Sequence, residues 1–264
     1  MKYFFSQAKS DYSNYLFPYQ VYLIKEESDN AEEIYNKGFL PVRSIRDLYY
    51  LSRSCRVDLT KFMLSSENRR VSKSTDDLYF EIKNIDKFDF RAEGIQLATK
   101  FVKAKYGKSV LTREALKKLF SNLGNYNKVA TFRSKSSLVG FVALYVSDDI
   151  VHYAHPFYDL DTQKKSLGLG LVVATVDWAK NSKRKFAYLG TVYGINSLYK
   201  TQFAGFEFYD GVGWQSDLDE LKAIIAKDTQ AFEGHLLQDK SFLSKYHAVV
   251  SLTRLVKKLK YAVY

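Results

Sequence analysis

Apolar residues along the chain follow two periods, alternation at two and recurrence every three to four, and these sort it into strands and helices. Residues 17–24 are aromatic and β-branched and predict a strand. A helix over 30–37 starts at Asn30 as N-cap and stops at Gly38 as the left-handed C-terminal residue. Two more strands are expected around 46–51 and 55–62, and the polar stretch from Ser65 to Asp77 is the best boundary. A strand near 78–84 opens a second region. Helical spacing then places Ile95, Ala98, Phe101 and Val102 on one face of residues 91–105, and Thr112 caps a helix carrying Leu116, Leu119 and Phe120. Strands at 127–133, 138–147 and 150–158 follow, the last two joined by the turn Ser147-Asp148-Asp149 as a hairpin. A helix at 166–180, a strand at 185–190, a short helix at 196–203 and a strand at 205–209 complete this region.

Beyond it the pattern is helical. Ser216 followed by Asp219 reads as a capping box, and residues 245–260 set Val249, Leu252, Leu255, Val256 and Leu259 on one side before Lys257, Lys258 and Lys260. A basic last turn is favoured by the helix dipole, so this charge run reads as structural first. Helices, an antiparallel meander, then a glycine-headed helix and a strand is the order of the GNAT acyltransferase fold. The expected class is α+β. A GNAT-like domain at 78–215, with a mixed, mainly antiparallel sheet flanked by helices, carries a small β-rich domain at 1–77 and a helical extension at 216–264. With only Pro18, Pro41 and Pro156, and no Gly/Ser-rich linker or repeat, these parts are expected to pack closely.

Composition narrows the function. A formal charge of +11 and a pI near 9.4 favour a polyanionic partner, without choosing among RNA, DNA and an anionic surface. The 21 Tyr and 19 Phe can stack on bases or simply pack in sheets. One cysteine, Cys55, excludes an intramolecular disulfide and a cysteine-built metal site. No apolar run is long enough to cross a membrane and Met1–Gln7 carries no signal-peptide core, which reads as a cytoplasmic protein without membrane contact.

The chemistry is concentrated late in the chain. Lys165-Ser166-Leu167-Gly168-Leu169-Gly170 heads the helix at 166–180, and glycines there let backbone N–H groups approach an anion at the positive helix end. GNAT acetyltransferases hold the pyrophosphate of acetyl-CoA on a similar loop, although glycine also appears wherever a helix packs tightly on a sheet. Around this turn stand Phe157-Tyr158-Asp159-Leu160-Asp161 up to Gly168, then Tyr188-Leu189-Gly190, then the run from Leu198 to Trp214. In this order and spacing the three blocks resemble the C-terminal half of the arginyl-tRNA–protein transferases, with Leu160 in place of proline, Lys165 of arginine, Thr191 of tyrosine and Gly205 of proline. Arg56, Phe62, Ser65, Arg69 and Arg70 match an N-terminal segment of that family more faintly, as does Gly38-Phe39. The family's clustered cysteines, which hold a metal or iron–sulfur centre, are missing, and the resemblance covers roughly residues 15–215.

The resemblance implies a transfer of an aminoacyl group, arginine by family default, from charged tRNA to an N-terminal amine of a protein or peptide, or to another primary amine. Aminolysis of an ester is downhill and a partly neutral α-amine needs little base catalysis, so positioning and an oxyanion donor would do most of the work. As catalytic residues it puts forward Asp159 and Asp161, to orient a cationic amine or guanidinium, with Tyr199 and Lys200 beside the cleft. Arg56, Arg69, Arg70, Lys165, Ser166, Gly168, Tyr188 and Gly190 are the expected tRNA- or substrate-binding set. Each has a plainer reading: the aspartates cap the next helix, Lys200 is solvated, Arg69 and Arg70 are a surface pair. No cofactor or metal is expected. His152 and His155, three apart in a strand, are read as facing opposite sides, and all four histidines as structural. Two rivals remain: an acetyl-CoA-dependent N-acetyltransferase, and a non-catalytic RNA- or protein-binding module on the same fold.

Overall fold

A computed structural model describes residues 1–7, 10–14, 18–43, 45–107, 111–121, 123–162, 166–228 and 236–261. Strand β1 (Lys2–Gln7) and β2 (Tyr19–Ile24) precede helix α1 (Ala31–Asn36), which Asn30 caps through its side chain and which ends at Gly38, φ +83°. Then come β3 (Phe39–Pro41), β4 (Leu48–Leu51), β5 (Ser54–Asp58) and α2 (Ser66–Ser74). After β6 (Tyr79–Asn84) a single π turn leads into α3 (Ile95–Tyr106), followed by α4 (Arg113–Leu119), whose cap is Thr112. The meander β7 (Lys128–Ser134), β8 (Ser137–Val146) and β9 (Ile150–Tyr158) precedes α5 (Leu167–Asn181) and β10 (Phe186–Thr191). A 3-10 segment, Ile195–Gln202, leads to β11 (Phe206–Tyr209) and β12 (Trp214–Gln215), and the tail holds α6 (Leu218–Lys227), α7 (Lys240–His247) and α8 (Leu252–Tyr261).

These strands form an antiparallel four-stranded sheet, β1-β2-β4-β3, and an eight-stranded sheet, β12-β11-β5-β10-β9-β8-β7-β6. Only β9 and β10 run parallel in the large sheet, with α5 as the crossover between them. A meander followed by a helix and a parallel strand is the GNAT connectivity, so the fold is α+β as expected. On one face α2, α5, α6 and α7 close a core with Val142, Leu144, Val151 and Leu189. On the other, α3 and α4 cover Val129, Phe141 and Phe157, while the small sheet and α1 cover Ile150 and Tyr188.

The division near residue 77 does not appear as a linker. Ser65 and Asn68 close a capping box at the head of α2, Val71 is fully buried, and Thr75 lies so near α5 that a Cβ on Gly170 would come within 2.8 Å of its methyl. Its polar residues are simply the solvent face of a packed helix. Strand β5 also belongs to the large sheet, paired with β10 on one side and β11 on the other. Strand β1 escaped the periodicity argument because it is exposed along its whole length, so neither face carries an apolar alternation. In the tail, Asp217 rather than Ser216 caps α6, and the single helix expected over 245–260 is broken at Ala248, φ +54°.

Candidate functional site

The parallel pair β9/β10 is hydrogen-bonded over three residues only, from Ile150/Phe186 to His152/Tyr188. Beyond that point β9 runs on to Tyr158 and β10 to Thr191 unpaired with each other, which opens a gap in the sheet. A bulge in the β5/β10 ladder between Tyr188 and Thr191, with Gly190 at φ +80°, turns β10 away. Lys200 from the 3-10 segment fills the β10 side: its Nζ donates to the Thr191 carbonyl at 2.6 Å and sits beside Gly190. Tyr199, Tyr158 and Tyr153 lie within electrostatic reach of one another around this gap, and Cys55 of β5 lies near Tyr199 and Lys200. The Tyr153 hydroxyl is buried without a hydrogen-bond partner. Burial holds its pKa well above the ordinary phenol value, so it remains a proton donor.

The head of α5 closes over the gap. A Cβ on Gly168 would meet the Tyr158 ring at 2.6 Å, and one on Gly170 would meet Thr75, so both glycines are needed for close packing. Ser166 is the N-cap residue but makes no side-chain cap bond. Lys165 lies outside the described residues. Gly205, where the resemblance leads one to expect proline, has φ +82°, and a Cβ there would lie 2.4 Å from the Asp58 carbonyl; proline cannot adopt that φ.

The expected binding arginines are placed differently. Arg56 is not free to meet phosphate. Its Nε donates to Glu207 at 2.8 Å and its Nη1 to Asn36 Oδ1 at 2.8 Å and Tyr188 Oη at 3.3 Å. The guanidinium lies between the Phe186 and Trp214 rings, 3.9 Å from each. Tyr188 is equally enclosed, 1% exposed, so neither expectation of tRNA contact fits its position. A strand residue is the reason: β5 is internal to the sheet, and its arginine is covered from both sides. Arg69 donates to the Leu64 carbonyl and Arg70 pairs with Glu67, both on the outer side of α2. Asp159 and Asp161 converge, as expected, but on Lys100 of α3, at 3.7 and 2.5 Å. They do not cap α5: Asp159 accepts from the Asp161 backbone N–H instead. Among the described residues no hydrogen bond or ion pair joins the aspartates to Lys200.

His152 and His155 face the same side of the sheet, against expectation. Leu144 pairs with Tyr153 and Ala143 with His155, so Ala154 is an inserted residue and the bulge resets the alternation. Each ring is hydrogen-bonded to a tyrosine at 3.0 Å, His152 Nδ1 to Tyr35 and His155 Nε2 to Tyr126. Burial pushes both imidazoles down to about 3, which makes them neutral structural groups. Tyr153, Tyr158 and Cys55 border the candidate site although sequence reasoning did not single them out for it. Nothing local distinguished Tyr153 from other strand tyrosines.

The connectivity is that of the GNAT-like acyltransferase fold. No protein-family profile matches the chain. It is similar to the aspartate/glutamate leucyltransferase of Saccharophagus degradans, 25% identical over 167 residues that cover 60% of this chain and 69% of that protein. It is similar also to the aspartate/glutamate leucyltransferase of Ruegeria pomeroyi, 33% identical over 89 residues, 33% of either protein. The chain thus spans just over two thirds of the first relative and one third of the second. Among solved structures, the C-terminal domain of a putative lysylphosphatidylglycerol synthetase from Agrobacterium fabrum has a TM-score of 0.45 and 16% identity, covering 64% of this chain and 54% of that one. FemX has a TM-score of 0.39 and 7% identity, covering 64% of this chain and 61% of that one. No described helix is long and apolar enough to cross a membrane.

Proposed function

We propose that this chain transfers an aminoacyl group from charged tRNA to the α-amine of a protein or peptide. Leucine, and acceptors beginning with aspartate or glutamate, are taken from the names of the relatives, in place of the arginine that the motif resemblance implied. The observation that carries the reading is the gap between β9 and β10, lined by an unpartnered buried Tyr153 hydroxyl and the Lys200 ammonium. In the reaction the amine nitrogen attacks the ester carbonyl carbon, an oxyanion forms, and the C–O bond to the tRNA ribose breaks. The proton lost by the amine ends on the departing ribose oxygen, and an amide remains. Tyr153 supplies a preorganised donor for the oxyanion, and Lys200 supplies positive charge at the same place. Asp159 and Asp161 would exchange Lys100 for the ammonium of an arriving substrate, and half-exposed Tyr199 borders the approach.

The test is incubation with radiolabelled leucyl- or arginyl-tRNA and peptides that begin with Asp, Glu or Ala. Acid-stable label on the acidic peptides, with leucine preferred, is the expected result. Charged tRNA should also be retarded on a gel, with affinity falling steeply as salt rises. Acetylation of the same peptides from acetyl-CoA, without transfer from any charged tRNA, would overturn the proposal in favour of an N-acetyltransferase.

A further inference from the structure

Away from the β9/β10 gap, the tail meets the large sheet through three ionisable side chains from distant parts of the chain. Asp210 follows β11, Glu220 lies in the first turn of α6, and His247 ends α7. Their donor atoms lie within 4.8 Å of one another. All three side chains are buried: Asp210 is 1% exposed, Glu220 2% and His247 6%. Glu220 Oε1 and His247 Nε2 have no hydrogen-bond partner, although His247 Nε2 stands 3.3 Å from Asp210 Oδ2. Asp210 is held in place by its other oxygen, which accepts from the Val212 and Gly213 N–H groups at 2.7 and 2.8 Å. The Gln215 amide approaches Oδ2 at 3.4 Å. The neighbouring ammonium of Lys258 is bonded to the His247 backbone carbonyl.

Burial and the neighbouring Asp210 push the Glu220 carboxyl up to about 8, so without a cation the two carboxyl groups are held beside the imidazole by a proton, which a metal ion of higher charge can replace. One nitrogen and two carboxylate oxygens, with a fixed carboxylate orientation behind them, form the donor set of a three-protein-ligand site for a zinc-class ion. Donor atoms around such an ion stand about 3–4 Å apart, which small side-chain rotations reach from the present spacing. Asp210 also lines a cavity of about 230 Å³ bordered by Arg53, Tyr193 and Leu236.

We infer that Asp210, Glu220 and His247 bind one divalent transition-metal ion of the zinc class, which fastens the helical tail to the end of the large sheet. The ion is independent of the transfer step, since none of these residues borders the gap between β9 and β10. It also differs from the family's cysteine-held centre, because the donors are His and carboxylate, and two of the three belong to the tail.

Full-length protein, stripped with a chelator and dialysed, is titrated with zinc by calorimetry and melted with and without it. One equivalent should bind, and at about a hundredfold excess over Kd the melting temperature should rise by about 5 °C or more. Glu220→Gln should melt no lower than the stripped wild type, because the amide keeps the size of the carboxyl and a donor toward Asp210, yet bind zinc at least tenfold more weakly; His247→Gln should weaken binding equally. Zinc bound no tighter than about millimolar, or bound undiminished by a folded Glu220→Gln variant, overturns the inference. The three groups would then be a proton-sharing cluster. Transfer assays on the stripped protein are unaffected by either outcome.

Discussion

The two edges of β10 differ in how completely their polar groups are satisfied. Toward β5, Arg56 has carboxylate, amide and phenol partners on Nε and Nη1 and two aromatic faces. Toward β9, the ladder stops after three residues, and among the described residues the Tyr153 hydroxyl has no hydrogen-bond partner while the Lys200 ammonium donates to one carbonyl and lies over the Tyr199 ring. Both edges contain residues that matched the transferase motifs. Enclosure marks the first as support, since a substrate phosphate would have to displace three hydrogen-bond partners and two rings. The unpaired groups of the second are the ones on which the proposed site rests.

The largest effect expected from this contrast is at Arg56. Arg56→Met leaves half-buried Glu207 with only the longer Lys61 contact at 3.5 Å, and losing the charged hydrogen bonds of Arg56 should cost about 1.5–3 kcal/mol. Urea denaturation should show that loss, and normal stability with weakened tRNA binding would reverse the roles assigned to the two edges.

Acid stability comes next. The folded pKa values of His152 and His155, about 3, lie below the ordinary 6.5, so between those values the unfolded chain binds protons that the folded one does not. Their contribution is complete above about pH 6.5 and is lost as pH falls, at about 1.4 kcal/mol per pH unit for each histidine. His155→Gln should flatten the pH dependence of the melting midpoint between 6.5 and 4. An unchanged slope would mean the ring is protonated in the fold.

At the gap, Lys200→Met should lower transfer at least about tenfold, on the order of 1.4 kcal/mol of transition-state stabilisation, with little change in melting. Tyr153→Phe should do the same and leave stability unchanged or slightly higher, because the hydroxyl it removes has no partner. Full transfer by both variants would sharpen the comparison against the proposed site. The smallest effect belongs to Asp159→Asn with Asp161→Asn. Their ion pairs with Lys100 are surface pairs, worth below about 1 kcal/mol, so melting should barely move. Transfer should fall about tenfold if they orient the substrate amine, and a kinetic assay that finds no change confines them to Lys100.

Much of this molecule is written locally. Asn30 and Gly38 bracket α1, Thr112 caps α4, and the meander β7–β9 follows its Val, Phe and Tyr alternation to within a residue or two, because caps and apolar periods act over a few residues. The motif blocks likewise led to Lys200, Tyr199 and Gly190 at the gap. Tertiary structure alone decided the rest. Arg56 reads as an available cation until β5 is placed inside the large sheet. His152 and His155 change relative sides through one inserted residue that no local propensity signals. Tyr153 becomes an unpartnered donor only because β9 and β10 separate beside it, and Asp210, Glu220 and His247 meet only when the tail folds back. Local free energies choose turns and strands, whereas burial and the pairing of polar groups depend on what the rest of the chain brings alongside.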